Sequence, residues 1–193
     1  MNYACSATKL IENNLDWCHP AFTHEVTHAQ WFIIQAHGFR EYPIEVRTTA
    51  SGLIEFMPPT NSATDEIGDL PIAIRFDLPC RIYLSDATPQ GRFAILLHCV
   101  QTSATTCRLE WMTGMNGPNQ IVWSGDEPKV LAQDRIVETS QRWYEDDCAE
   151  FERSVEADYP TLLARKIVAM ARRGEWFEKR GSLPRRRLVN VRS

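Results

Sequence analysis

The chain has 193 residues and a formal net charge of −4, with 44% hydrophobic and 24% charged residues. These values predict one globular domain, residues 1–193, with a core large enough to fold alone. The negative charge argues against a nucleic-acid-binding protein. The longest apolar run, residues 93–97, is too short to cross a bilayer, so we expect no membrane partner.

In chain order, the pattern predicts a helix, then several antiparallel strands, then two more helices. The first helix is expected over residues 9–19, and its acids and histidine share one helical face. Turn signals and β-branched or aromatic residues predict the strands and their hairpins. The strands are expected at 44–49, 53–57, 72–78, 81–84, 93–100 and 107–112, a long helix from Pro128, and a last helix at 159–172. The fold class is therefore α+β.

The six cysteines are scattered, and the last twenty residues are basic. No pair of cysteines has the Cys-x2-Cys spacing of a zinc ribbon or thioredoxin motif, which favours reduced thiols in a cytoplasmic protein. Residues 174–193 are expected to form a basic C-terminal tail. Such a tail is usually solvated or loosely ordered, although it can also bind phosphates or an acidic face of a partner.

A motif of acids and histidines near the start carries the chemistry. Glu12, Asp16, His19 and His24 follow one another at spacings of four, three and five residues. Two imidazoles and a carboxylate can hold iron while leaving metal positions open for dioxygen and substrate. Pro20 disfavours helical geometry at His19, and a chain break there could turn His24 toward the same ion.

A second motif overlaps the first. His24, Glu25 and His28 form a literal His-Glu-x-x-His, the zinc hydrolase signature in which the glutamate is the general base. The pattern is short, and no third ligand follows at the metzincin spacing. A zinc-dependent hydrolase therefore stays an alternative.

The motif Glu12-x3-Asp16-x2-His19-x4-His24 resembles the iron-binding motif of the catalytic domain of Rieske non-haem iron oxygenases. The resemblance implies His19 and His24 as iron ligands and an acid from a late helix as the third. Gln133-Asp134-x3-Glu138 is similar to the family pattern for that acid, so Asp134 is the expected ligand. It further implies a helix-grip (START/Bet v 1-like) fold, an antiparallel sheet around a long C-terminal helix.

The resemblance also implies an electron path and partners. In the family, the residue matching Asp16 conducts electrons between the iron-bound histidine and a Rieske [2Fe–2S] cluster of a neighbouring subunit. This sequence has no Cys-x-His or Cys-x2-His pair to hold that cluster. We therefore expect the cluster in trans or on a missing segment, with a ferredoxin or reductase as electron donor; a domain that has lost redox chemistry is the alternative.

The expected reaction uses Fe(II) and O2 to hydroxylate or oxidatively demethylate a hydrophobic, ring-containing small molecule. The implied oligomer is a homotrimer, because electrons cross between subunits in the family. A third possibility is a helix-grip protein that binds a hydrophobic ligand without redox chemistry.

Overall fold

The computed structural model describes residues 1–19, 23, 41–57, 72–88, 91–116, 129–140 and 154–192. Its strands are β1 (Asn2–Tyr3), β2 (Glu41–Thr48), β3 (Gly52–Met57), β4 (Ile72–Asp77), β5 (Arg81–Thr88), β6 (Gly91–Ser103), β7 (Thr106–Asn116) and β8 (Arg186–Arg192). Its α-helices are α1 (Ala7–Asn14), α2 (Lys129–Ser140), α3 (Tyr159–Arg172) and α4 (Trp176–Lys179). Short 3-10 turns cover Glu156–Asp158 and Arg180–Ser182.

The described strands form one antiparallel sheet in the order β1-β7-β6-β5-β4-β3-β2-β8. Strands β2 to β7 run as a meander in which each strand pairs with the next along the chain. The two ends of the described chain complete the edges: β1 pairs with β7, and β8 pairs with β2. The class is therefore α+β, as the sequence predicts.

The main core lies between one face of this sheet and helices α1 and α3. Alternate residues of β2, namely Tyr42, Ile44 and Val46, join Leu10 of α1 and Ile167 of α3 in a single buried cluster. Side chains of a strand point alternately to opposite faces, so this cluster defines the helix-facing side of the sheet.

The opposite face of β3 is also buried. Ile54, Phe56 and Ala73 form a separate cluster there with no exposed area. Beside them, Glu45 is fully buried and forms ion pairs with Arg47 and Arg186. A carboxylate at this depth is stable only because two guanidinium groups meet it.

The C-terminal residues differ from expectation. The basic C-terminal residues were expected to form a solvated or loosely ordered tail, but residues 176–192 include α4, a 3-10 turn and the edge strand β8. Val189 and Val191 alternate with polar residues and are buried in the main core, which fixes the register of β8 on β2. The expectation of a loose tail is therefore wrong.

The predicted hairpins of 44–49 with 53–57 and of 93–100 with 107–112 both appear, and helix α3 has the expected bounds, Tyr159–Arg172. Strand β1 was not predicted. Among the described residues, no helix is both long and apolar enough to cross a membrane.

Candidate metal centre

Helix α1 leads into the site but ends earlier than the sequence suggests. The Ser6 side chain accepts a hydrogen bond from the Lys9 amide and caps the first turn. The helix stops at Asn14, so the expected helix to His19 is wrong. Asparagine and aspartate favour turns because their side chains compete for backbone hydrogen bonds.

Asp16 builds the turn that holds His19. Its carboxylate Oδ1 accepts a hydrogen bond from the Cys18 amide at 2.8 Å. Its backbone carbonyl oxygen lies 2.7 Å from Nδ1 of His19. A carbonyl can only accept, so Nδ1 carries a proton, and in the neutral imidazole Nε2 keeps its lone pair. A histidine fixed in this tautomer is ready to bind a metal through Nε2.

Helix α2 brings two acids to this imidazole. Asp134 and Glu138 stand one helical turn apart and are only 3% and 5% exposed. The Oδ1 atom of Asp134 lies 3.6 Å from Nε2 of His19. Residues more than a hundred positions apart in the chain therefore meet at one buried point.

The electrostatics of the three groups are linked. Burial acts to lower the pKa of His19, but its contacts with Asp134 and Asp16 outweigh burial and raise that pKa. Burial, with the charge of Asp134 added, raises the pKa of Glu138 to about 7. A bound cation would relieve this crowding of negative charge and would favour the ionised form of both acids.

The donor set suits a divalent metal. The 3.6 Å separation of Nε2 and Oδ1 exceeds a hydrogen bond. It suits two ligands of one ion, since donor atoms about 2.1 Å from a metal lie roughly 3 to 4 Å apart. Within the described ranges, no three His, Cys, Asp or Glu side chains are arranged to hold a metal.

Two expected sites lie outside the described residues. His24, the second proposed iron ligand, is one of them, and the His24-Glu25-x-x-His28 motif is the other. Both stay predictions.

Glu12 lies apart from the site chemistry. It is buried on α1 and accepts two hydrogen bonds at 2.8 Å from the Arg165 guanidinium of α3. Lys9 adds a third contact at 3.2 Å. Its contacts make it a structural link between α1 and α3.

Glu55 is a buried acid that the sequence reading missed. It lies on β3, opposite Val46 and Ile74 of the main core. Neither of its carboxylate oxygens has a hydrogen-bond partner in the described structure. Burial raises its pKa well above the ordinary value; the nearby Trp17 indole opposes this rise, and Asp16 adds to it. The available signal was a single acid within the apolar run of residues 53–57.

The fold is similar to solved structures of two bacterial proteins. NdmA of Pseudomonas putida CBB5 matches with a TM-score of 0.63 and 19% identity, covering 100% of this chain and 55% of that chain. The NdmA QL mutant with caffeine matches at 0.62 and 21%, covering 100% and 56%. NdmB matches at 0.59 and 20%, covering 100% and 54%.

The TM-scores show a shared fold, and the chain spans about half the length of those proteins. No protein-family model and no curated protein matches the chain.

Proposed function

We propose that residues 1–193 form one catalytic domain of the Rieske non-haem iron oxygenase type, with His19, His24 and Asp134 as the ligands of one Fe(II). The contact between His19 Nε2 and the buried Asp134 carboxylate carries this proposal. This contact joins His19 of the first motif to Asp134 on helix α2, the acid that the family resemblance implies as the third ligand. The helix-grip class of the sheet belongs to the same proposal.

Ferrous iron held by two imidazoles and one carboxylate supplies the activation of dioxygen for hydroxylation or oxidative demethylation. Residues of this chain orient the proposed ligands and shield the site from water. The Asp16 carbonyl holds His19 in the tautomer that presents Nε2. The depth of Asp134 excludes water and strengthens its electrostatic interactions.

Electrons require a donor outside the described chain. We assign this role to a Rieske [2Fe–2S] cluster on another chain or segment, supplied by a ferredoxin or reductase, in a cytoplasmic homotrimer. Asp16 is the proposed entry point, because its backbone contacts the imidazole directly. Its carboxylate, bound to the Cys18 amide, holds that turn in place.

The proposed substrate is a hydrophobic, ring-containing small molecule. The fold shared with NdmA, of which one solved structure holds caffeine, supports a planar ring compound.

The test is metal analysis of protein purified without oxygen. The proposal predicts about one iron per chain, sharply reduced iron in His19→Ala, and unchanged iron in Glu25→Gln. Glu178→Gln, an exposed acid on α4, is the matched control for the loss of a carboxylate. Zinc in place of iron would overturn the proposal.

The same experiment separates the alternatives. A zinc hydrolase through His24 and His28 predicts zinc and loss of hydrolysis in Glu25→Gln. A ligand-binding protein predicts no stoichiometric metal and unchanged ligand affinity in His19→Ala. The contact of His19 with Asp134 favours the oxygenase, because neither alternative uses these two side chains.

A further inference from the structure

Two buried thiols lie in contact far from one another in the sequence. The Sγ atoms of Cys5 and Cys107 are 3.9 Å apart, and 102 positions separate the two residues. Cys107 stands on β7 opposite Tyr3 of β1, and Cys5 follows two residues later. All five described cysteines are free thiols. We propose that Cys5 and Cys107 form a redox-active dithiol, a modification site that hydrogen peroxide converts to a disulfide.

The geometry permits the bond. A disulfide places its sulfurs about 2.05 Å apart, so each sulfur must move by about 1 Å. Rotation about the χ1 angles of the two side chains provides movements of this size. The short β1 strand holds Cys5 beside β7, so the approach does not require long-range rearrangement.

The hydrogen bond between the thiols makes them unequal. When Cys5 donates its S–H, the thiolate of Cys107 is stabilised, and this bond lowers the pKa of Cys107 against the opposing effect of burial. The same bond, together with burial, raises the pKa of Cys5. Either sulfur can be the donor of this hydrogen bond, so either thiol can act as the nucleophile with the other as the resolving thiol.

A cavity that can admit a small oxidant reaches Cys99, a neighbour of Cys107 on the adjacent strand, and is not lined by Cys5 or Cys107 themselves. It has a volume of about 320 Å³ and lies between α1, α3 and the β4–β5 turn. Cys80 and Cys99 both line it. Burial raises the pKa of Cys99, and the neighbouring Cys107 and Cys80 raise it further. Hydrogen peroxide, which is little larger than water, fits this space.

The reaction balances with peroxide as the oxidant. With Cys107 as the nucleophile, its thiolate attacks one peroxide oxygen, the O–O bond breaks, and a sulfenic acid and hydroxide form; the hydroxide takes up the proton that the Cys107 thiol released and becomes water. The Cys5 sulfur then attacks the sulfenic sulfur, its proton goes to the departing oxygen, and the S–S bond forms. Two thiols lose two hydrogens, and one peroxide is reduced to two waters.

The bond would fasten the N-terminal strand to the sheet. The Tyr3 hydroxyl already donates to the Leu131 carbonyl oxygen of α2, the helix that carries Asp134. Oxidation therefore adds a covalent tie next to the contact between β1 and α2. Closing a loop of this length restricts the unfolded chain, so the oxidised protein should unfold at a higher urea concentration.

The test exposes the reduced, full-length protein to hydrogen peroxide, blocks remaining thiols with iodoacetamide, and maps tryptic peptides by mass spectrometry. Trypsin leaves Cys5 in residues 1–9, but leaves Cys99 and Cys107 together in residues 93–108. The experiment is therefore repeated in Cys99→Ser, which makes the assignment unique. Cys80→Ser, which alters the same cavity, is the matched control.

The proposal predicts a cross-linked pair of these peptides, lower in mass by two hydrogens, in wild type, Cys99→Ser and Cys80→Ser. Dithiothreitol should reverse it, and Cys5→Ser should abolish it. A bond between other cysteines would overturn the proposal, as would full alkylation of Cys5 and Cys107 after peroxide. If Cys5→Ser does not fold, Cys5→Ala serves the same purpose.

Discussion

Two of the regions that bury acids, on β2 and on α2, differ in the groups that face those acids. On β2, Glu45 meets the guanidinium groups of Arg47 and Arg186 at 2.7 and 2.6 Å. On α2, Asp134 meets the imidazole of His19, and Glu138 lies beside Asp134. A permanent cation fixes the charge of the first acid, whereas a titratable base and a second acid leave the other pair suited to a metal.

The acids of the two regions differ in whether nearby positive groups balance their charge. Glu45 serves stability, because its charge is matched within the fold. The α2 acids create a local excess of negative charge, a cost that folded proteins accept mainly at functional sites. Removing an acid should therefore have opposite effects on stability in the two regions.

The largest expected effect is at Glu45. Glu45→Ala leaves the largely buried Arg47 side chain, along with the half-exposed Arg186, without a carboxylate, and it should lower the free energy of unfolding by about 3 to 5 kcal/mol. Urea denaturation measures this change. Glu110→Ala, which removes a half-exposed acid paired with Arg108, is the control and should cost less than about 1 kcal/mol. Equal losses in both variants would contradict the comparison.

Replacing Glu55 should have the next largest effect on the free energy of unfolding, and this effect should be a gain in stability. Its pKa is raised in the folded state, so above pH 4.5 the unfolded chain releases a proton that the folded chain retains. Stability is therefore present at low pH and is lost as the pH rises toward the folded pKa.

Glu55→Gln should remove this loss, gaining up to about 1.4 kcal/mol per pH unit over wild type above pH 4.5. Urea denaturation across a pH series measures the gain. A constant difference between the two proteins at every pH would rule out the assigned protonation state.

Glu138 should show a smaller effect of the same sign in metal-free protein. Its folded pKa of about 7 exceeds the ordinary value of 4.5, so its contribution to stability falls between these two values and is constant above them. Glu138→Gln should stabilise the chelator-treated protein at pH 8 by on the order of 1 to 3 kcal/mol, with little change at pH 4. Lower stability of the variant at pH 8 would show that the carboxylate is matched within the fold.

Local patterns in the sequence predict the hairpins and helix α3, because alternation and helical period depend on neighbouring residues. Local patterns do not predict contacts between residues that are distant in the sequence. Glu45 reads as an outward polar position of a strand, but Arg186 of β8 meets it from 141 positions away. Likewise, the C-terminal arginines suggest a solvated tail. The sequence nonetheless contains a strand signal there, because Val189 and Val191 alternate with polar residues.

The structure brings His19 and Asp134 together, as the sequence suggests, and their role as metal ligands stays a prediction. The motif points to His19, but the partner on α2 came from a family resemblance, because no local pattern connects residues 115 positions apart. The turn at Asp16 was missed, since helical spacing of the acids and His19 suggested one continuous helix. The stronger local signal was the pair Asn13 and Asn14, which favours a helix end.

The most direct test of the proposed iron centre is nitric oxide binding to Fe(II)-loaded protein under nitrogen, followed by electron paramagnetic resonance. Nitric oxide binds ferrous iron at an open coordination position, so the signal reports both the bound iron and that open position. We predict a strong iron–nitrosyl signal in wild type and in Glu178→Gln, and a loss of at least about tenfold in Asp134→Ala at equal iron concentration. An undiminished signal in Asp134→Ala would contradict the proposed ligand set.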